Sequence, residues 1–349
     1  MRCVVTGGCG FLGHHFINHL LSNTDWEVVV IDRLSYASSG FDRLRDINVF
    51  DDKRVKIFTI DFTNKIGEGL LRELGQFDYI FHAGAATHVD KSIEDSETFV
   101  LDNVLGTQRM LEFARTQKNL KWFIYQGTDE VYGPAPEGVA YREFDRFNPT
   151  NPYAATKAGA ECLAMSYANC YKLPVMIVNS MNFFGERQHP EKFIPKIVNK
   201  VLAGEPLTIH SDPTKTMAGS RFYIHCRNVT AAILFLLDKV SFEYPSYDLE
   251  NIEGMRMPTY RYRYNIVGEK EVDNLDLAKF IAKVLDKPLK YEMVNFHESR
   301  PGHDLRYGLD GAKLASMGWS FPKTFEQSLE KTIRWKVNKD NYRWLEMQE

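Results

Sequence analysis

Short apolar runs alternate with amphipathic stretches along the first half of the chain. Six runs rich in β-branched and aromatic residues predict buried strands: Cys3–Thr6, Glu27–Ile31, Val55–Ile60, Tyr79–His82, Trp122–Tyr125 and Val175–Val178. Stretches with helical spacing lie between most of them, as at Leu12–Leu21 and Phe99–Ala114. This alternation is typical of a parallel sheet covered by helices on both faces. The pattern therefore predicts an α/β fold with a doubly wound sheet, which binds ligands at the carboxyl ends of its strands.

The composition is that of an ordinary globular protein and excludes some classes of partner. Of 349 residues, 44% are apolar and 26% are charged, and the length predicts two lobes. The net charge of −3 argues against a general surface for nucleic acid or anionic membranes. The basic, tyrosine-rich segment 256–265 is a local exception. We interpret it as a loop entering a strand rather than as a polyanion site.

The cysteines and the apolar runs bear on location and on metal binding. Five cysteines are scattered without a CxxC pair: Cys3, Cys9, Cys162, Cys170 and Cys226. This pattern favours a reducing compartment and lacks the usual zinc spacings, so we predict no metal site. The sequence shows neither a signal-peptide pattern nor an apolar run of roughly 20 residues that would span a bilayer. We therefore predict a cytoplasmic protein.

The first predicted strand runs into a glycine-rich segment, GGCGFLG, which opens the next predicted helix. Gly7, Gly10 and Gly13 permit a tight turn, close approach of a pyrophosphate, and close packing of helix on strand. The helix N-terminus offers free N–H groups to phosphate. Asp32 follows about 20 residues later, where a carboxylate binds ribose hydroxyls and repels a 2′-phosphate. These features predict a Rossmann-type NAD site, although Arg33, beside Asp32, is a feature that favours NADP.

The segment NPYAATKAGAE places Tyr153 and Lys157 four residues apart at the start of a predicted helix. An i,i+4 pair shares one helix face, and a lysine cation beside a phenol favours the phenolate. Tyr153 can then accept a hydroxyl proton while a hydride leaves the same carbon. A Tyr/Lys pair on an exposed helix face is the alternative, and the glycine loop earlier in the chain argues against it.

Several further motifs, in the same order, extend over nearly the whole chain. They are DRLSYAS, THVDKSI, DNVLGT, GTDEVYG, HPEKFIP, YNIVGEKEVDNL, ESRPGHDLRYGLD and TFEQSLEKTIRW. Together with the glycine loop and the Tyr/Lys segment, they resemble the extended short-chain dehydrogenase/reductases that act on nucleotide sugars. The resemblance is closest to the dTDP-glucose 4,6-dehydratases. The triplet within TDEVYG is the discriminating motif, because epimerases and decarboxylases of the superfamily usually lack both acids.

The resemblance implies a reaction and a catalytic set. A nucleoside-diphosphate-glucose would be oxidised at carbon 4, lose water across carbons 5 and 6, and receive the hydride back at carbon 6. Tyr153 would take the carbon 4 hydroxyl proton, with Thr128 beside it and Lys157 also holding the nicotinamide ribose. Glu130 would be the base at carbon 5, and Asp129 the acid that protonates the leaving hydroxyl. Neighbouring carboxyls suit this step because proximity separates their pKa values.

The resemblance also implies binding residues and an assembly. The NAD set is Gly7, Gly10, Phe11, Leu12, Gly13, Asp32, Asp61, Ala83, Ala85, Asn103, Tyr153 and Lys157. The substrate set is Thr87, Asn182, Lys192, Arg221, Asn265, Arg300 and His303, and we interpret His88 and Asp90 as residues that shape their loop. We expect an NAD-binding domain at 1–185 that also receives parts of 222–240, and a mainly nucleotide-sugar-binding lobe at 186–349. A homodimer is expected through the helix near Phe99–Ala114 and the Tyr153 helix, whose outer face would offer Leu163, Tyr167 and Cys170.

The departures from the family pattern leave alternatives open. Ala86 replaces an acid, Asp102 a threonine near the cofactor, and Phe183 an asparagine, while Thr208 and His210 stand in the base-binding segment. These changes leave the base (thymine or uracil) and the sugar substituents undecided. The alternatives are a nucleotide-sugar 4-epimerase, a uronic acid decarboxylase, a dehydratase of UDP-N-acetylglucosamine, or a non-catalytic NAD-binding scaffold.

Overall fold

The structure is a computed structural model that describes residues 1–252, 254–296 and 305–345. Its strands are β1 (Arg2–Thr6), β2 (Glu27–Asp32), β3 (Val55–Thr59), β4 (Tyr79–His82), β5 (Trp122–Thr128), β6 (Val175–Ser180), β7 (Asn182–Phe184), β8 (Leu207–Ser211), β9 (Ser220–His225), β10 (Tyr247–Ile252), β11 (Met255–Tyr260), β12 (Arg263–Ile266), β13 (Glu271–Asp273) and β14 (Tyr291–Asn295). Its α-helices are α1 (Phe11–Asn23), α2 (Asp42–Asp46), α3 (Glu68–Leu74), α4 (Val89–Glu94), α5 (Ser96–Phe99), α6 (Gly106–Arg115), α7 (Pro152–Tyr171), α8 (Phe193–Ala203), α9 (Cys226–Lys239), α10 (Asn274–Leu285), α11 (Ala312–Ser316) and α12 (Phe325–Lys336).

Seven parallel strands form the central sheet in the order β12-β6-β5-β4-β1-β2-β3. The six strands predicted from the apolar runs are confirmed. Strands β1, β2, β4, β5 and β6 are buried along nearly their whole length because helices cover both faces of the sheet, whereas the edge strand β3 is only partly buried. The chain winds outward from β1 to β3 and then crosses to β4. The loops after β1 and β4 therefore diverge, and this switch point is where doubly wound sheets bind their ligands.

The segment 256–265 enters a strand, as we predicted, but its first half is itself a strand rather than a loop. Its first half lies in β11, which pairs antiparallel with β10, and its last part is β12, the seventh strand of the central sheet. Tyr260, Tyr262 and Tyr264 are buried in the main core. The tyrosines thus serve packing, which sequence composition alone did not indicate.

A second core lies beside the sheet. It contains buried side chains of α8, α10 and α12 with residues of the short strands β7, β8 and β9. The first core draws in Ile224 to Leu236 and Tyr260 to Ile266, which come late in the chain. The two cores are therefore interleaved along the sequence, while the domain boundary at residue 185 stays a prediction. None of the helices in the described ranges has the length and apolarity needed to cross a membrane.

The predicted helix over Phe99–Ala114 is interrupted. Between α5 and α6 the backbone forms a π-helical turn, Val100–Leu105, with Asp102 and Asn103 both buried. Such turns insert one extra residue into a helix and often occur at functional sites. Here the turn directs two adjacent polar side chains toward the loops at the carboxyl edge of the sheet.

Candidate active site

The glycine loop between β1 and α1 is closed on itself. The N–H of Gly7 donates to the Ile31 carbonyl, and that of Gly10 donates to the Gly7 carbonyl, at 2.9 and 3.0 Å. A Cβ on Gly13 would lie 2.1 Å from the Gly7 oxygen, so only glycine permits this approach. Phe11 and Leu12 form the first turn of α1. The helix N-terminus therefore meets the switch point, as a pyrophosphate site requires.

Asp32 ends β2 as predicted, and its carboxylate is fixed by the backbone. Oδ2 accepts from the Cys9 N–H at 2.9 Å and Oδ1 accepts from the Leu34 N–H at 2.8 Å. Burial raises the pKa of Asp32, and these two hydrogen bonds oppose the rise. The glycine cradle and a fixed carboxylate at the end of β2 are the features that a dinucleotide needs, so the residues present fit NAD.

The other predicted cofactor residues lie at the same edge. Asp61 follows β3, and its Oδ1 accepts from the N–H and hydroxyl of Thr63. Ala83 and Ala85 are half-buried in the loop after β4. Asn103 is buried; its amide bonds to the backbone of residue 86 and donates to the Thr156 hydroxyl at 3.0 Å. Asn103 thus braces the β4 loop against α7.

Thr128, Asp129 and Glu130 stand where β5 ends, and β5 runs three residues farther than predicted. The Thr128 hydroxyl donates to Asp129 Oδ1 at 3.1 Å and accepts from the Glu130 N–H at 3.4 Å. Asn151, which caps α7, donates from Nδ2 to Glu130 Oε2 at 3.3 Å. Asp129 Oδ2 is buried and has no hydrogen-bond partner in the described part of the chain.

The two carboxyl groups differ in their burial and in their hydrogen-bond partners. Burial raises the pKa of Asp129 to about 7, and the neighbouring charge of Glu130 adds to the rise. Glu130 is less buried and receives the amide of Asn151. Near neutral pH, Asp129 can therefore hold a proton, and an acid next to a second carboxyl group is the arrangement that an elimination needs.

Tyr153 lies in the first turn of α7, which Asn151 caps and Pro152 begins. The Tyr153 N–H donates to the Ser92 hydroxyl at 3.1 Å, and the Thr128 side chain lies close enough to the phenol to oppose the rise in its pKa. The structure thus brings the phenol to the carboxylate pair. Burial raises the pKa of Tyr153, and the charge of Glu130 adds to this.

Lys157 does not lower the pKa of Tyr153, contrary to our prediction. Its Nζ donates to the Gln126 carbonyl of β5 at 2.6 Å, and burial lowers the pKa of Lys157 to about 7 against the opposing charge of Glu161. Burial of both side chains outweighs the attraction expected from their i,i+4 spacing. Tyr153 is therefore a phenol in this structure, and its proton must be displaced during the reaction.

The predicted substrate residues differ in exposure and in their polar partners. Thr87 and Asn182 are exposed, and the half-buried Lys192 has Nζ 3.5 Å from a Glu191 carboxylate oxygen. Arg221 Nη1 donates to the Ser220 carbonyl at 2.7 Å, and its charge opposes the rise in the pKa of Asp129. Arg300 and His303 lie outside the described residues. His88 caps α4, which agrees with its interpretation as a loop-shaping residue.

Asn265 does not have the exposed position that we expect of a predicted substrate residue. It is fully buried on β12, and its Nδ2 donates to the carbonyls of Tyr141 and Asp310 at 3.1 and 3.2 Å. Asn265 instead holds two loops against the sheet.

Arg43 binds backbone carbonyls at the cofactor edge, a role that the sequence analysis did not predict. It is fully buried, and its guanidinium donates to the carbonyls of Ala37 and Ser38 at 2.7 Å, Cys9 at 3.3 Å and Arg187 at 3.1 Å. It therefore joins the glycine loop to two other loops. An arginine in a polar run gives no sequence signal for this role.

Comparison with known proteins agrees with the geometry. Residues 3–248 match the model of the NAD dependent epimerase/dehydratase family. A trifunctional UDP-glucose 4,6-dehydratase/3,5-epimerase/reductase of Arabidopsis thaliana is 34% identical over 95% of this chain. The match covers only 46% of the length of that relative. A dTDP-glucose 4,6-dehydratase of Escherichia coli is 31% identical, covering 99% of this chain and 95% of its own.

The fold also matches a solved enzyme over its whole length. A dTDP-glucose 4,6-dehydratase of Streptomyces venezuelae, solved with NAD bound, superposes with a TM-score of 0.83 at 32% identity and covers 99% of both chains. The glycine cradle, Asp32 and the Tyr/Lys pair agree with the family match over most of the chain. This chain belongs to the NAD dependent epimerase/dehydratase family.

Proposed function

We propose that the chain is a nucleotide-sugar 4,6-dehydratase. It would convert an NDP-glucose to the NDP-4-keto-6-deoxyglucose and water, with dTDP-glucose as the first candidate and UDP-glucose as the second. The observation that carries the proposal is the pair Asp129 and Glu130, which are adjacent in sequence, different in burial, and next to the Tyr153 phenol. Relatives at 31–34% identity that bear this activity support it.

The chain's own residues account for the proton movements at carbon 4. Tyr153 first passes its phenolic proton to Lys157, whose lowered pKa of about 7 leaves part of its amine neutral, and the resulting phenolate accepts the carbon 4 hydroxyl proton beside Thr128. When bound, NAD supplies reversible hydride chemistry, so that one molecule serves both redox steps of a cycle. Lys157, held by the Gln126 carbonyl, places a cationic donor under this edge. Carbon 4 becomes a ketone, which acidifies the proton on carbon 5.

The elimination uses the two carboxyl groups in turn. Glu130 removes the carbon 5 proton, and the electron pair of that C–H bond forms the double bond to carbon 6. The C–O bond at carbon 6 breaks, and Asp129 gives its proton to the departing oxygen, so that water leaves. The buried Oδ2 of Asp129 is the oxygen available to hold this proton, because Oδ1 already accepts from Thr128. Burial keeps the proton in place near neutral pH.

The alternatives use fewer of these groups. A 4-epimerase needs the phenol and the cofactor, but it has no step for a base at carbon 5. A non-catalytic scaffold needs neither carboxyl group, and a buried Asp129 with an unpaired oxygen is costly to keep without a purpose. The triplet therefore favours elimination over both.

The product mass separates these functions. Purified protein is incubated with dTDP-glucose, UDP-glucose and UDP-N-acetylglucosamine, and each product is examined by mass spectrometry. Loss of one water from one of these substrates supports the proposal and identifies the base and the sugar. An isomer of unchanged mass would establish the epimerase, and no conversion of any substrate would favour the scaffold.

The proposal includes a location and an assembly. The five cysteines are all unpaired, which supports a reducing, cytoplasmic compartment. A homodimer through α6 and α7 is also proposed. Its predicted face needs one change, because Tyr167 is buried and its hydroxyl contacts Glu112 Oε1 of α6 at 2.5 Å. Cys170 is exposed on α7, and Leu163 is half-buried.

A further inference from the structure

Arg33 and Asp102 form a two-point ion pair at the cofactor edge. Arg33 Nη1 donates to Asp102 Oδ1 at 2.7 Å, and Nη2 donates to Oδ2 of the same carboxylate. The Arg33 Nη1 also lies 3.5 Å from Asp61 Oδ2. Parallel hydrogen bonds between a guanidinium and a carboxylate fix both the direction and the plane of the arginine.

The pair is built into the fold rather than formed on the surface. The Asp102 side chain is 7% exposed and lies on the π-helical turn, whereas Arg33 is 34% exposed and directly follows β2. Asn103, the next residue of the turn, is tied to the β4 loop and to α7. The carboxylate therefore has a fixed position, and Arg33 is the more exposed partner.

The position of Arg33 makes its pairing consequential. An acidic residue at the end of β2 binds the adenosine ribose of NAD, and an arginine nearby accommodates the 2′-phosphate of NADP. This chain has both residue types in succession, Asp32 and Arg33. In the structure, however, the guanidinium is directed to Asp102 and Asp61, so two carboxylates hold one cation.

We propose that Asp102 determines cofactor choice by holding Arg33 away from the ribose 2′ position, so that the site accepts NAD and rejects NADP. The inference rests on the proposed use of NAD. The aspartate at 102, a departure from the family pattern, and Arg33, the feature that favours NADP, explain each other in this way. Without the carboxylate at 102, Arg33 would be a half-exposed cation beside the ribose, free to bind a phosphate there.

The test measures cofactor binding rather than turnover. Protein stripped of nucleotide is titrated calorimetrically with NAD, NADP, ADP and 2′,5′-ADP. Asp102→Asn keeps the size and removes the charge, and Asp102→Thr also removes the second acceptor. Each variant should raise the affinity for NADP relative to NAD, and for 2′,5′-ADP relative to ADP, by about 10- to 100-fold. This is the contribution of one or two charge-assisted hydrogen bonds.

A matched control and a double variant isolate Arg33. Asp52→Asn removes the carboxylate of a similar two-point pair, with Arg54, before β3 at the opposite edge of the sheet, and should change neither affinity. Arg33→Met combined with Asp102→Asn should abolish the gain in affinity for NADP and 2′,5′-ADP. Thermal unfolding checks that each variant is folded, and Asp102→Thr serves if the amide variant is not.

The outcomes separate this inference from the proposed function. An unchanged preference in folded Asp102 variants, or a gain that persists in the double variant, would overturn the role of Asp102. Wild-type protein that binds NADP as tightly as NAD would also overturn it and leave the dehydratase proposal intact. Wild-type protein that binds neither nucleotide would overturn both.

Discussion

At the residue scale, burial gives adjacent carboxyl groups different tasks. Asp129 is 5% exposed, with one oxygen bonded to Thr128, whereas Glu130 is more accessible and bonded to Asn151. An ionised neighbour further disfavours a second charge, so one proton is retained by the pair. The same two residues on an exposed turn would both be ionised near neutral pH and could not supply an acid.

The isosteric amides test this division. Asp129→Asn and Glu130→Gln keep size and remove ionisation, so each should lower turnover by roughly 10²–10⁴-fold, the range of a lost general acid or base. The double variant should lose less than the product of the two, because residues that act together are not additive. Glu130→Gln should also abolish deuterium exchange at carbon 5 in heavy water, whereas Asp129→Asn can retain it.

Tyr153→Phe is the control for these two amide variants, because it should stop the first oxidation rather than the elimination. The absorbance of reduced cofactor should then not appear during turnover. Near wild-type turnover of Glu130→Gln would contradict the dehydratase and favour the epimerase.

The pH dependence follows from the same carboxyl group. With its pKa raised to about 7, Asp129 carries the proton that elimination needs below this pH and loses it above. The rate of water loss in a single turnover should therefore fall as pH rises through about 7. In Glu130→Gln the negative neighbour is gone, so the pKa of Asp129, followed by carbon NMR of its carboxyl, should be lower. A rate that rises steadily through this range would refute the acid role.

At the scale of elements, local patterns were predictable and non-local pairings were not. The strands β1 to β6 and the glycine loop could be predicted because alternation, apolarity and glycine spacing are properties of contiguous residues. The place of β12 beside β6 was not predicted, because it depends on partners that lie almost 90 residues away in the sequence. The hairpin β10–β11 was also not predicted, because its charged and aromatic composition resembles that of a loop.

The helix before the active site shows a further limit. A π-helical turn differs from an α-helix by one residue, so the helical periodicity over Phe99–Ala114 gave no sign of it. Its effect on the site is large, because Asp102 and Asn103 both depend on it. Tyr167 was placed on an outer face for a related reason, since periodicity does not show that α6 offers Glu112 as its partner.

Among site residues, those defined by a motif were predicted and those defined by packing were not. Asp32, Asp129, Glu130 and Tyr153 come together at the edge of the sheet that strand order requires. Arg43 was missed because its partners are carbonyl groups, which every residue has. The pKa of Tyr153 was mispredicted because its burial became evident only in the folded chain.

At the scale of the whole molecule, two interleaved cores place the late part of the chain against the early part. Helix α9 packs on α1, and Trp344 lies beneath Arg43 with the ring centroid 5.4 Å from the guanidinium carbon. The cofactor edge and the second core are thus connected through side chains as well as through the chain. We therefore expect them to unfold together rather than as separable domains.

The assembly prediction belongs to this scale. The π-helical turn exposes Val100 at 48% and Leu101 at 44%, and large apolar side chains this accessible favour a protein partner. Light scattering at micromolar concentration should give twice the chain mass. Leu101→Glu should reduce it to the chain mass, because an unpaired carboxylate in a closed interface is costly. Ile93→Glu makes the same change on α4, where the side chain is 47% exposed, and should leave the dimer intact. A wild-type protein of single chain mass, or equal dissociation by both variants, would contradict an interface at this turn.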